Sequence, residues 1–443
     1  MDNARRLTSS FLAVTMATAA IAAHSLEPCG TAPDLVFSNG FGIGPTISAG
    51  AETTIGPVTG VDILPDEHSS FLPPATAGAT YTFFEAARVS GSTGAVVLQA
   101  SNDLQTWSLA PGYTSPVLGS PKPFGQCASV SDPAYLNTLF DENYAAPGSV
   151  LQDPTLPAGN LMMVYEGENH CRQDAAMVWH NVQPYYATAG FARSSDNGVT
   201  WPAPGLTPGT LRYPIVGGPD PKPAYDAASI TAVGDAIPSA YIKGSCLYVV
   251  YAHHPAPNAS AHAIAIQIAR AQLDGTTGPL TFQKYLVSNG TGGFTSPGLT
   301  GDGTNVIPFT PIGTLFATPV CTGTQYQPGL SFNVALQRYL MTMVCEVSSV
   351  AGQLGWFFST ATSLDAEDWT APQLIENTQS TAQPCSGNPN GTDFDGWYPS
   401  LYSLALEPGR TGKNDIAFYL DGCNLDTERT FKSRTITVTP DPG

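Results

Sequence analysis

Positive charge is scarce in this chain. Lysine and arginine number 17 in 443 residues, against 35 aspartates and glutamates, and the formal net charge is −18. Nucleic acids and anionic membranes are held through clusters of Lys and Arg, so neither is expected as a partner. Charge of either sign is sparse, at 12% of residues. The remaining surface of Ser, Thr, Asn, Gly and Tyr suits neutral sugar hydroxyls. No CxxC or CxxH pair occurs, so the ligand spacing of a zinc cluster is missing. Long apolar runs are also missing after the first stretch. There Arg5 and Arg6 precede an apolar run from Phe11 to Ala23 that is rich in Ala and Thr and ends in small residues. It is too short to span a bilayer and reads as a secretory signal peptide over 1–23. The mature chain is then expected to be extracellular or periplasmic.

What the chain does have points to strands. Its 44 Gly and 39 Pro oppose long helices, while 42% hydrophobic residues are enough for a packed core. A short segment opened by Pro and a small residue recurs at Pro147-Gly148-Ser149, Pro238-Ser239, Pro328-Gly329 and Pro399-Ser400. Each is followed by a stronger apolar strand: NLMMVYEGENH, CLYVVYAHH, RYLMTMVCEV and NDIAFYLDGC. A third strand follows, and in three places it runs into a turn ending in Trp. Ser194, Asp196, Gly198 and Trp201 form an Asp-box, S-x-D-x-G-x-x-W. Ser101 to Trp107 and Ser363 to Trp369 carry the shorter S-x-D-x-x-x-W form, with Asp103 and Asp365. In such a turn the Asp accepts backbone N–H bonds, Gly supplies positive φ and Trp packs between sheets.

In these turns the chain resembles the Asp-box sialidase-type propellers and the five-bladed glycosidases such as glycoside hydrolase family 43. The resemblance implies an all-β, five-bladed β-propeller of four-stranded antiparallel blades over 80–443, with the Gly/Pro-rich segment 24–79 packing on it. It also implies that Asp103, Asp196 and Asp365 are structural, on the face opposite the active site. The loops from second to third strand, and those entering each first strand, then reach the active face. Those loops carry Glu166, Glu168 and His170, then His253 and His254, and Glu142, Asp235, Asp395, Trp397 and Tyr398.

Glycoside cleavage needs one carboxyl group protonated and another ionised. The candidate catalytic residues are Glu166, Glu168, Asp235, Asp395 and Glu142. The candidate substrate contacts are His170, Trp397, Tyr398 and Arg193. The family's catalytic motifs are not matched in place. Ile237 precedes Pro238 where the family has Asp, with Asp235 two residues earlier, and Ala145-Ala146-Pro147 stands for its Glu-Gly-Pro. Adjacent His253 and His254 are weak metal ligands, because neighbours on a strand point apart. No metal or other cofactor is expected, although the oxygen-rich loops would admit a structural Ca²⁺.

The eight cysteines form an even set behind an export signal. Cys127 and Cys171, Cys321 and Cys345, and Cys385 and Cys423 stand in equivalent places, an entering loop and the end of a second strand. They are expected to pair, which leaves Cys29 for Cys246. The function expected is a secreted, monomeric glycoside hydrolase acting on a poly- or oligosaccharide. The alternative is a non-catalytic propeller that binds carbohydrate or protein.

Overall fold

The computed structural model describes residues 28–29, 45–55, 58–59, 68–72, 80–87, 95–112, 117–119, 127, 139–176, 178–202, 211–218, 232–256, 264–308, 321–347, 354–365, 368–377, 384–385, 388–423 and 429–440. The side chains of 58–59, 181–184, 322–323, 377, 384–385, 388–395, 421–423 and 429 are outside the description. The signal-peptide segment 1–23 also lies outside it.

All the described regular elements are strands. β1 (Thr46–Thr54) comes first. Then β2 (Ser70–Leu72), β3 (Tyr81–Ala87), β4 (Ala95–Ser101) and β5 (Trp107–Leu109) pair antiparallel in chain order. The same order recurs in β6 (Tyr144–Gln152), β7 (Leu161–Gln173), β8 (Trp179–Ser194) and β9 (Arg212–Val216). A third group is β10 (Ala232–Lys243), β11 (Cys246–His254), β12 (Ala265–Gln272) and β13 (Gln283–Ser288). A fourth is β14 (Cys321–Asn333), β15 (Arg338–Val347), β16 (Leu354–Ala361) and β17 (Gln373–Asn377). In the last, β18 (Asn388–Tyr402), β19 (Asn414–Cys423) and β20 (Arg429–Thr439) pair in turn, and β1 adds the outer strand with Thr46 opposite Thr439. Residues 46–54 of the Gly/Pro-rich segment are thus hydrogen-bonded into the C-terminal sheet, where they cover the edge of β20.

The groups pack face to face, and the packing returns to its start. Phe84, Val96 and Leu98 meet Val150, Met163 and Tyr165. Met162, Val164 and Phe191 meet Leu247, Val249 and Tyr251. Tyr248 and Val250 meet Met341, Met343 and Phe357. Leu340, Val344 and Trp356 meet Ala417 and Tyr419. Phe418, Leu420 and Phe431 then meet Phe71, Phe83 and Trp107 of the first group. Each sheet buries both faces because its strands are apolar on both sides of the period-2 alternation.

The first strands of the groups line an axial cavity of about 40 Å³ that includes His68, Ser70, Ser149, Ser239, Gly329 and Ser400. Serine hydroxyls tie neighbouring first strands together. Ser70 Oγ accepts from Val150 N at 2.7 Å, Ser149 from Ala240 N at 2.9 Å, Ser239 from Leu330 N at 3.0 Å and Ser400 from Ser69 N at 3.1 Å. Only small residues allow this approach: a Cβ on Gly148 would lie 1.8 Å from Pro238 O.

Four of the first strands carry a bulge just before these positions, between Pro147 and Ser149, Ala236 and Ser239, Tyr326 and Gly329, and Trp397 and Ser400. In three of them the residue before proline has positive φ: Ile237 at 51°, Gln327 at 54° and Tyr398 at 55°. For a β-branched or bulky side chain this is a strained conformation. Such bulges re-aim the strand end, a device common beside active sites.

Two polar side chains of the first group are buried without compensation. Glu85 is fully buried, neither carboxylate oxygen has a hydrogen-bond partner, and burial pushes its acid well up. Gln99, on the same face of that sheet by its pairing with Phe83, is equally unpartnered. Glu85→Leu is therefore expected to stabilise the protein by about 1–3 kcal/mol at neutral pH. The sign follows from linkage: a carboxyl raised in the folded state loses stability as pH climbs above the unfolded value. The gain should thus shrink towards pH 4.5. Urea unfolding of both proteins at two pH values measures it, and a variant less stable at both would count against the buried acid.

Candidate active site

The seam between the second and third groups is apolar at its base and polar at its mouth. Met162 and Val164 of β7 share one apolar cluster with Leu247, Val249 and Tyr251 of β11. Strand alternation carries the same two faces onward. Glu166 and Glu168 continue the face of Met162 and Val164, and His253 continues the face of Val249 and Tyr251. Asp235 stands opposite His253 in the β10–β11 register. Acids of one sheet thus face a carboxylate–imidazole pair of the next.

Glu166 is fully buried and its Oε2 accepts the Ile237 N–H across the seam at 2.5 Å. The positive φ of Ile237 aims that N–H. Glu168 keeps 7% exposure, and its Oε2 lies 2.7 Å from His170 Nε2. His170 is held by its backbone N–H on Asn143 Oδ1 at 2.9 Å, with the Tyr185 ring 5.0 Å away. Glu142 is fully buried beside Asn143, whose N–H bonds the Glu168 carbonyl at 3.0 Å.

On the opposite wall, Asp235 Oδ1 lies 2.7 Å from His253 Nδ1, and Oδ2 accepts from Lys284 Nζ at 2.9 Å. Lys284 also donates to Gly217 O at 2.7 Å and sits 5.6 Å from the Tyr251 ring centre. Asp235 and Lys284 are both wholly buried. Burial pushes the Asp235 carboxyl up, but the His253 hydrogen bond and the Lys284 charge outweigh it and hold the group below its usual range. An ionised Asp235 can only accept, so His253 Nδ1 donates to it. His254 points the other way, with Tyr326 of the fourth group 6.5 Å off. Burial, then the neighbouring His253, lowers its pKa to about 4 and keeps it neutral.

Tyr398 reaches this seam, packing on the cluster of Ala187, Ala236 and Ile237 that Tyr185 also borders. Its N–H is accepted by Gln327 Oε1 at 2.7 Å. Trp397, with its ring 5.8 Å from Tyr398, packs on the cluster between the last and first groups, which Tyr398 also touches. The Asp395 side chain lies outside the described residues; its backbone pairs with Asp421.

Arg193 is not at this mouth. It pairs with buried Asp153 and lies opposite Met162, at the end of the sheet that carries the Ser194–Trp201 turn. From Met162 to Glu168 the strand advances about 20 Å at its usual rise. A guanidinium that far down is paired away from the mouth of the seam.

The Ser-x-Asp turns stand between third and fourth strands. Asp103 Oδ1 accepts the Gln105 and Thr106 N–H groups at 2.8 Å each, and Asp196 Oδ1 accepts Thr200 N at 2.9 Å. Gly198 has φ 82° and its carbonyl accepts Trp201 Nε1 at 3.0 Å. Trp107 and Trp369 are buried. Asp365 differs: its carboxylate is engaged by Tyr248 Oη at 2.9 Å and by Arg270, both from the preceding group. It therefore ties two sheets together.

Disulfides join Cys127 to Cys171, Cys321 to Cys345 and Cys29 to Cys246. The first anchors the strand end next to His170. The side chains of Cys385 and Cys423 lie outside the described residues. Among the described residues no three His, Cys, Asp or Glu are grouped to hold a metal ion.

Lys284 and Tyr185 were missed in the sequence. Lys284 had a signal: it is a lone cation inside QKYLV, in a chain with few cations. Tyr185 had none, since aromatics in strands are mostly core.

No protein-family model matches the chain, and no curated protein sequence matches it. Several solved structures are loosely similar. The catalytic domain of a glycoside hydrolase family 62 α-L-arabinofuranosidase from Coprinopsis cinerea has 12% identity and a TM-score of 0.45, over 89% of this chain and 98% of that one. An α-L-arabinofuranosidase from Podospora anserina, in complex with cellotriose, has 11% identity and a TM-score of 0.44, over 90% and 98%. An arabinanase of Bacillus subtilis has 8% identity and a TM-score of 0.42, over 86% and 95%. A likeness this loose transfers neither fold nor activity to the chain.

Proposed function

We propose that this chain is a secreted glycoside hydrolase, built as a five-bladed β-propeller of four-stranded antiparallel blades, with its site at the seam between the second and third blades. Residues 1–23 act as the signal peptide. The segment 24–79 packs on the propeller and lends it two strands, 46–54 and 70–72. The substrate is a neutral poly- or oligosaccharide.

One observation carries the reading. The Glu166 to Ile237 hydrogen bond locks the acid-bearing end of β7 against the end of β10 that holds Asp235. Carboxylates from two neighbouring blades are thereby brought to one mouth, from which glycoside cleavage can draw its proton donor. Of the three, Glu168 alone retains exposed surface. It is the proton donor to the leaving sugar oxygen, sharing a proton with His170. Glu166 and Asp235 are wholly buried and act by positioning. Tyr398, half-buried at the same seam, offers a face for a sugar ring.

The test is release of reducing sugar or aryl alcohol from a broad panel of glycans. Glu168→Gln is expected to lower kcat by roughly 10²–10⁴-fold, the usual range for losing a proton donor. Unchanged kcat would remove Glu168 from the chemistry. A wild-type protein that is silent on the panel but binds glycans would support the second reading, a non-catalytic sugar-binding propeller. Its favouring observation is that both Asp235 oxygens are already engaged inside the protein.

A further inference from the structure

The buried chain from Lys284 through Asp235 ends at a side chain that reaches solvent. Lys284 and Asp235 have no exposed surface, whereas the His253 side chain keeps 17%. Its Nδ1 is turned to Asp235 at 2.7 Å, so the ring's other nitrogen points away from the buried carboxylate. On the facing wall stand Glu166 and Glu168, on the strand face that continues Met162 and Val164. A carboxylate behind an imidazole fixes its tautomer and orientation, the arrangement by which histidine moves protons.

We propose that His253 is the second proton-transfer group of this site, and that Asp235 and Lys284 are positioning residues that hold it with Nδ1 protonated and Nε2 towards the substrate. The inference rests on the glycoside-hydrolase reading and supplies the base that reading lacks. Nε2 takes one proton from a water as its oxygen bonds to the anomeric carbon. The glycosidic C–O bond breaks, and the departing oxygen takes the proton shared by Glu168 and His170. His253 then returns its proton to that pair through solvent. Asp235 never leaves its ion pair.

The test has a readout independent of activity. In the full mature chain labelled with ¹⁵N-histidine, long-range ¹H–¹⁵N spectra at pH 8 should show His253 protonated at Nδ1 and bare at Nε2. Asp235→Asn should shift the ring towards the other tautomer, with His180 as an unaffected reference. A wild-type ring bare at Nδ1 overturns the proposal whatever the protein hydrolyses. On a cleaved glycan, His253→Gln is expected to lose about 100-fold or more in kcat with KM within about twofold. A His253→Gln protein with wild-type kcat overturns this inference while leaving Glu168 and the function standing. A wild-type chain silent on the whole panel overturns the function and this step together.

Discussion

Replacing Lys284 by methionine is expected to destabilise the protein by about 3–5 kcal/mol, the usual cost of stripping the partner from a buried charge. Asp235 would be left wholly buried, with His253 as its one remaining charge partner among the described residues. The volume change is small, so the loss is electrostatic. It follows that the double variant Lys284→Met/Asp235→Leu should recover a substantial part of it, because an apolar pair of similar shape carries no desolvation cost. Chemical unfolding of the two variants beside wild type measures both terms. If the single variant stays within about 1 kcal/mol, Asp235 is reaching water or another cation. The pH dependence gives a second check. Asp235 is lowered in the folded state, so its contribution is present above the unfolded aspartate value and is lost as pH falls through the folded one. Asp235→Leu should flatten that acid limb.

Exchanging Cys29 and Cys246 together for serine should cost up to about 5 kcal/mol, from the entropy of a very long loop. The bridge spans a sequence separation of 217, against 44 for Cys127–Cys171. The shorter bridge should therefore be worth less, about 4 kcal/mol. Little else that is described ties Cys29 down: its N–H donates to Gln272 Oε1 at 2.8 Å. Cys246 opens β11, the strand that ends in His253 and His254. Thermal unfolding under non-reducing conditions would rank the two double-serine variants. A Cys29/Cys246 variant as stable as wild type would mean the unfolded chain is already compact across that loop.

Much of this architecture could be read without coordinates. Strand content followed from Gly, Pro and the alternating apolar runs, and the Ser-x-Asp turns placed third strands and fourth strands in phase. The pairing of Cys127 with Cys171 and of Cys321 with Cys345 followed from equivalent places in the repeat. Glu166, Glu168, His170 and Asp235 were singled out because charge is rare here and these fall at strand ends. The outer strand of the last group was not legible. Thr46–Thr54 lies within a Gly/Pro-rich segment, and only its closure on Arg429–Thr439 makes it a strand.

The division is physical. Alternation, turn chemistry and bulge-forming X-Pro pairs act over a few residues, so the sequence alone determined an all-β chain, its repeating strand order and which acids lie near one end of the sheets. What each acid meets depends on packing between sheets, which pattern does not encode. Lys284, 49 residues beyond Asp235, crosses from an outer strand to neutralise it. Asp153 claims Arg193 at the far end of the same sheet, and Ile237 turns its N–H onto Glu166 through a strained bulge. Only the tertiary structure decided that Asp235 is a buried anchor and that His253 is the group it presents, because in a low-dielectric seam the nearest partner sets a charge's role.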